Sequence, residues 1–201
     1  MNELLMAIVP CKPFAEAKQR LAGILDEASR MQLARDLLEH MLAVLTRTSG
    51  VTRVAVVSRD DQVLRLARQH GAWAIWETRR GLNEALEQAT RVAQANGMDR
   101  VLILPADLPD VTVGDIERMI GAAGPPPRVV IAPATRDQGT NALLINPAGL
   151  IRYAFGEQSF LEHTRRAEQA GARVEIIDSA GLAFDLDLPE DWQRMHGARS
   201  G

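Results

Sequence analysis

Short runs of Val, Ile and Leu alternate along the chain with longer stretches in which apolar residues recur every three or four positions. Continuous apolar runs suit strands buried on both faces, and the helical recurrence suits amphipathic helices, so the pattern predicts a βαβα chain whose parallel sheet is covered on both sides. Segments 4–9, 51–57, 72–76, 100–104 and 128–133 read as strands. Within 29–46, Met31, Ala34, Leu37, Leu38, Met41, Leu42 and Leu45 form one stripe, which predicts a long helix lying on a sheet face. Shorter helices are predicted over 60–70, 82–96 and 112–122. Gly97 stops the second of these, and Thr112 caps the third with Asp115 three residues on. The run Gly124-Pro125-Pro126-Pro127 cannot be helical and reads as a stiff loop inside one domain.

Beyond the prolines the pattern changes. Residues 128–134 and 141–145 are strand-like, and the polar linker 135–140 is too short to hold a crossover helix, so an antiparallel excursion is expected. A helix over 159–170, a strand over 173–177 and a last short strand through Asp187 follow, and the tail after Trp192 is expected to fray. The expected fold class is therefore α/β: a mixed, mostly parallel sheet with helices on both faces, in a single domain over 1–201.

Composition narrows the function classes. With 201 residues, 46% of them hydrophobic, one sizeable core can be buried. A net charge of -3 and a pI near 5.8 argue against nucleic acid as a partner. Cys11 is the only cysteine, which excludes an intrachain disulfide, a zinc cluster of cysteines and a Cys-x-x-Cys redox site. Met1-Asn2-Glu3 lacks a basic leader and the apolar run behind it is too short for a bilayer, so a cytoplasmic protein with no membrane partner is expected. Trp73, Trp76 and Trp192 read as core residues, and a homodimer stays open.

Candidate chemistry gathers at the ends of the predicted strands. The loop from Pro10 to Leu21 carries Lys12, Lys18 and Arg20. In an open α/β sheet that edge binds ligands, and a mix of lysine and arginine suits a triphosphate. Singly, each cation reads equally as a solvated surface charge. Asp107 ends the run Val101–Leu104 at the same edge. Asp185 and Asp187 would share one face of a strand, with Leu186 on the other. Separated carboxylates of this kind suit magnesium, which is held by one or two of them plus phosphate oxygens, and three or four carboxylates leave room for a second ion. The plainer reading has Asp107 capping a loop and Asp185 pairing with a basic side chain. Gly81-Leu82-Asn83 offers a backbone turn and an amide suited to a base or ribose, or simply a helix start. Gly139-Thr140-Asn141 and Gly156-Glu157-Gln158-Ser159 are further loops, the second opening a helix with Ser159 as N-cap, where backbone N–H groups attract phosphate. Of the histidines, only His163 lies near these loops, and none reads as a general base. A phosphate oxygen acting as nucleophile needs none, being ionised already.

In this order the motifs resemble the 2-phospho-L-lactate guanylyltransferase family, which includes phosphoenolpyruvate guanylyltransferases and acts in assembly of the 5-deazaflavin coenzyme F-420. The likeness spans nearly the whole chain: Pro10, Lys12, Pro13, Lys18, Arg20 and Leu21; Gly81-Leu82-Asn83; Pro105-Ala106-Asp107-Leu108-Pro109; Gly139 through Leu144; Phe155-Gly156 with Ser159-Phe160; Asp185-Leu186-Asp187 with Pro189-Glu190-Asp191. It implies a nucleotide-diphospho-sugar-transferase-like fold and transfer of GMP from GTP to a small phosphorylated carboxylic acid (2-phospho-L-lactate, phosphoenolpyruvate or 3-phospho-D-glycerate), with magnesium present and pyrophosphate released. The resemblance further implies that Thr140, Gly156 and Ser159 hold the acceptor and that Asp107 and Asp187, with Asp185 beside them, bind the metal. Lys12, Lys18 and Arg20 would hold the triphosphate, and Gly81 and Asn83 would lie near guanosine. Two departures stand out, Gln158 where the family often has glycine and Leu188 where it often has threonine. The alternatives are a nucleotidyltransferase for a sugar phosphate or pterin cofactor, and a non-catalytic nucleotide sensor.

Overall fold

The computed structural model describes residues 3–136 and 138–197. Seven strands form one sheet: β1 (Leu5–Pro10), β2 (Arg53–Ser58), β3 (Trp73–Trp76), β4 (Arg100–Ile103), β5 (Arg128–Pro133), β6 (Thr140–Asn146) and β7 (Arg173–Ile176). Their order is β3-β2-β1-β4-β6-β5-β7. β6 runs antiparallel to both β4 and β5, and the other pairs are parallel. The antiparallel excursion is thus where the short polar linker predicts it; Asp137 of that linker lies outside the described residues. The helices are α1 (Glu27–Arg47), α2 (Asp61–Gln69), α3 (Leu82–Ala95), α4 (Val113–Ala122), α5 (Ser159–Gln169), α6 (Ala180–Ala183) and α7 (Pro189–Gly197).

The two-residue period of β1 divides the core. Leu5, Ala7 and Val9 pack on one face with Leu38, Leu42 and Leu45 of α1, while Met6 and Ile8 pack on the other with Leu86 and Ala89 of α3. These five residues are fully buried, and each large one contributes about 1.5–3 kcal/mol by leaving water. Caps set the helix ends. The Asp26 carboxylate accepts the Ser29 N–H at 2.7 Å, so α1 begins before its apolar stripe does. Thr112 and Asp115 form the reciprocal capping box at the start of α4. Gly97 follows the α3 C-cap with φ +71°, as its stop role requires.

Strand order reverses between β1 and β4, which leaves a crevice beyond their carboxyl ends, the place such sheets bind ligands. Everything that follows is built on that crevice.

Three expectations are corrected. No strand runs through Asp187. After α6 the chain is extended but unpaired: Leu186 N–H donates to the Asp107 carbonyl at 3.0 Å, while the Asp191 carboxylate takes the N–H groups of Asp187 and Leu188 at 3.0 and 2.7 Å. Burial still alternates, with Phe184 and Leu186 inside and Asp185 and Asp187 less covered. The segment after Trp192 is helical as far as Gly197, because Pro189 at the first helical position and Asp191 start α7. Trp76 is half exposed at the end of an edge strand and does not fill the core. Among the described residues no helix is long and apolar enough to cross a membrane.

Candidate active site

Two adjoining cavities, about 600 and 580 Å³, occupy the crevice. Their shared wall consists of Pro10, Leu82, Pro105, Asp107 and Asp187. The carboxylates of Asp107 and Asp187 therefore face both chambers.

Lys18 organises this wall. Its backbone is left-handed (φ 52°), a conformation that costs a non-glycine residue roughly 1–2 kcal/mol and tends to persist where a side chain must be aimed. The side chain is 6% exposed, and Nζ stands 2.9 Å from Asp107 Oδ2 and 3.7 Å from Asp187 Oδ1. Arg20, largely exposed, donates from Nη1 to Asp187 Oδ2 at 2.9 Å. Lys12 and Lys18 line the first chamber, but Arg20 lines only the second, so the expected trio of triphosphate clamps is divided between them. The turn to Gln19–Leu21 swings Arg20 past Asp187.

Asp185 lines the second chamber. Burial pushes its carboxyl up, the Asp107 charge adds to this, and Arg136 opposes it. The three aspartates singled out in the sequence thus converge closely enough to repel. Among the described residues they form no ready-made cluster of three metal ligands; Lys18, Arg20 and Arg136 pair with them instead. Cys11, beside them in the first chamber, is no nucleophile: burial, with the Asp107 and Asp60 charges, pushes its thiol up to about 12.

The first chamber also holds Arg59, Glu77 and Arg80, which sequence reasoning missed. Arg59 pairs with Glu16 and, at 3.5 Å, with Glu77. Their signal was positional, since they follow β2 and β3 at the same sheet edge as the basic loop. Gly81 lines this chamber with φ +129°, and a Cβ there would collide with the Glu84 carboxylate.

Asn83 departs from expectation. Its Nδ2 donates to the Phe155 carbonyl at 3.2 Å and its Oδ1 accepts the Phe155 N–H at 2.8 Å. One donor and one acceptor position of the amide are thus committed to clasping the Phe155-Gly156 loop, and Asn83 lines neither of the two chambers.

Thr140, Gly156 and Ser159 all line the second chamber. Ser159 is the first residue of α5, and the N-cap is Gln158 in a left-handed conformation (φ 56°), not Ser159. Its N–H donates to the Gly156 carbonyl and that of Phe160 to the Gln138 carbonyl, so part of the helix start is already satisfied. Thr140 Oγ1 lies 3.0 Å from His163 Nδ1, and His163 Nε2 accepts the Ala154 N–H at 3.0 Å. Burial, with the Arg166 charge adding and Glu162 opposing, pushes His163 down to about 4, so it is neutral at physiological pH. An Nε2 that accepts leaves the proton on Nδ1. His163 therefore donates to Thr140, and the Thr140 hydroxyl hydrogen is left to point elsewhere. Arg136, also missed in the sequence, pairs with Asp191 at 2.7 Å and caps the Asp185 carbonyl at 3.1 Å. Arg136 lies two positions beyond β5's last strand residue's neighbour, Ala134, at the same edge of the sheet.

Comparison with known proteins gives concordant results. Residues 5–200 match the family described as "Guanylyl transferase CofC like". The phosphoenolpyruvate guanylyltransferase of Rubrobacter xylanophilus is 40% identical over 96% of this chain and 93% of its own length. The 2-phospho-L-lactate guanylyltransferase of Methanothermobacter thermautotrophicus is 37% identical over 92% of this chain and 81% of its own. Among solved structures, a Desulfovibrio desulfuricans G20 protein described as a nucleotide-diphospho-sugar transferase superposes with a TM-score of 0.80 at 16% identity, covering 98% of this chain and 88% of that one, a likeness of fold.

Proposed function

The chain belongs to the CofC-like guanylyl transferase family and is a nucleotidyltransferase; from that footing we propose that it transfers GMP from GTP to the phosphate of a three-carbon phospho-acid, with phosphoenolpyruvate the first acceptor to test. The observation that carries this reading is the shared wall. Two chambers of similar volume meet at Asp107 and Asp187, one lined by Lys12, Lys18, Arg59 and Arg80 and the other by Arg20, Thr140 and Ser159. A nucleoside triphosphate in the first and a phospho-acid in the second would bring their phosphates together at that wall.

In the reaction an acceptor phosphate oxygen forms a bond to the α-phosphorus of GTP, the bond from α-phosphorus to the αβ-bridging oxygen breaks, and pyrophosphate leaves with that electron pair. The nucleophile is already ionised, so the protein's task is alignment and charge neutralisation. Lys12 and Lys18 offset charge on the departing pyrophosphate, Arg20 approaches from the acceptor side, and Thr140 presents a hydroxyl donor fixed by His163. Asp107, Asp187 and Asp185 are oxygen donors that converge, and burial together with the charges of the other two holds the Asp185 carboxyl above its ordinary value, which fits a hard divalent cation; we assign them to magnesium. Bound there, the ion would act as a Lewis acid on phosphate oxygens. Support for GTP and for a phospho-acid comes from the named activities of the relatives and from the cation-lined chambers, and the same family points to assembly of the deazaflavin coenzyme.

Pyrophosphate release measured for GTP, ATP, CTP and UTP against phosphoenolpyruvate, 2-phospho-L-lactate and 3-phospho-D-glycerate, with and without magnesium, tests the reading. Release is expected only when GTP, one of the acids and magnesium are all present. Release driven by a sugar phosphate, or binding of nucleotide with no turnover on any acid, would contradict it.

A further inference from the structure

Asn141 is held in an unusual position for a strand residue. In the β5–β6 ladder Pro133 pairs with Thr140 and Ala132 with Ala142, so Asn141 is the extra residue of a bulge. A bulge re-aims side chains that regular alternation would send to opposite faces. Thr140 and Asn141, though adjacent, both line the second chamber. Asn141 is 7% exposed, and its Nδ2 has no hydrogen-bond partner among the described residues. Buried amide donors are almost always paired, and leaving one orphaned costs about 1–3 kcal/mol, so an orphan on a residue that lines a cavity points to a partner that arrives with a ligand.

The chemistry of that partner follows from what else lines the chamber. Arg20 is engaged with Asp187, and Arg136 with Asp191 and the Asp185 carbonyl. Once the acceptor phosphate is at the shared wall, the far end of the acid meets neutral donors, the Thr140 hydroxyl and the Asn141 amide. A carboxylate only accepts hydrogen bonds, and an amide nitrogen offers two donors. We propose that Asn141 binds the acceptor directly, its Nδ2–H groups donating to the carboxylate of the phospho-acid. This deepens the proposed reaction and rests on it.

The test crosses a protein change with a substrate change. Asn141→Leu removes the donor while keeping the branching of the side chain, and isopropenyl phosphate is phosphoenolpyruvate with a methyl group in place of the carboxylate. With phosphoenolpyruvate, Asn141→Leu is expected to lower kcat/KM about 10- to 100-fold, the range for a hydrogen bond to a charged group, with KM for GTP unchanged. With isopropenyl phosphate, wild type and variant should turn over equally slowly. Asn141→Asp, which opposes one carboxylate with another, should lose more than Asn141→Leu and decides the matter should the leucine variant not fold. Equal losses on both acceptors, or no loss on phosphoenolpyruvate, would overturn the assignment. A wild-type enzyme inert toward every phospho-acid would instead overturn the proposed reaction itself.

Discussion

His163 shows how much one buried side chain fixes at this site. Fully buried, accepting from Ala154 and donating to Thr140, it is held neutral in the folded chain, with burial pushing it down to about 4 from an ordinary value near 6.5. Between those two values the unfolded chain binds more protons than the folded one, so folding stability rises with pH across that window. Stability should be complete above about pH 6.5 and fall as pH drops toward 4, by on the order of 3 kcal/mol for this residue. Urea unfolding at a series of pH values, wild type against His163→Gln, measures it; parallel stability curves for the two proteins would contradict the burial and tautomer described. The sequence placed His163 near the acceptor loops but could not show its role, because one of its partners, the Ala154 N–H, is a backbone group. The structural part that Asn83 plays was hidden for a related reason. Its motif was legible, but the Phe155 backbone that occupies both ends of its amide lies 72 residues away in the chain.

At the scale of elements, what the sequence made plain were those whose residues carry their own reason: the unbroken apolar runs of β1 and β4, the stripe of α1, the Thr112–Asp115 box of α4. The region after β7 was misread because period-two burial at Phe184 and Leu186 looks like a strand, whereas its hydrogen bonds come from the Asp107 loop and the Asp191 side chain. The departure at Gln158 also gains a physical meaning. That residue adopts φ 56°, a left-handed conformation in which glycine is favoured over glutamine. The short helix α6 sets the position of the acidic segment, and its packing is testable. A Cβ on Gly181 would stand 2.6 Å from Asp115 Oδ2 and 2.7 Å from the Asp110 carbonyl oxygen, whereas one on Gly121 in α4 would meet nothing within 4 Å. Gly181→Ala should therefore destabilise by about 1–3 kcal/mol and reduce turnover by displacing Asp185 and Asp187. Gly121→Ala should be neutral or stabilise by up to about 1 kcal/mol. Melting temperature and kcat/KM for both variants check this, and an equally stable, fully active Gly181→Ala would contradict it.

For the molecule as a whole, the strand order β3-β2-β1-β4-β6-β5-β7 matters more than any one motif, because its reversal between β1 and β4 creates the crevice that two substrates can share. The parallel half supplies the first chamber from the loops after β1, β2 and β3. The antiparallel β6 and the start of α5 supply the second chamber. Asp107, Asp187 and the buried Lys18 stand at the junction. The central claim is that the acceptor phosphate becomes bonded to the α-phosphorus of GTP at that junction, and it is tested by following oxygen-18 from the phosphate of phosphoenolpyruvate through the reaction with GTP and magnesium by phosphorus NMR. Direct transfer predicts that the label is retained in a new mixed phosphoanhydride, absent from pyrophosphate, and that Asp107→Asn forms this product at least a hundredfold more slowly, a factor of about 2.7 kcal/mol in the barrier. Label appearing in pyrophosphate, or an Asp107→Asn enzyme as fast as wild type, would contradict it.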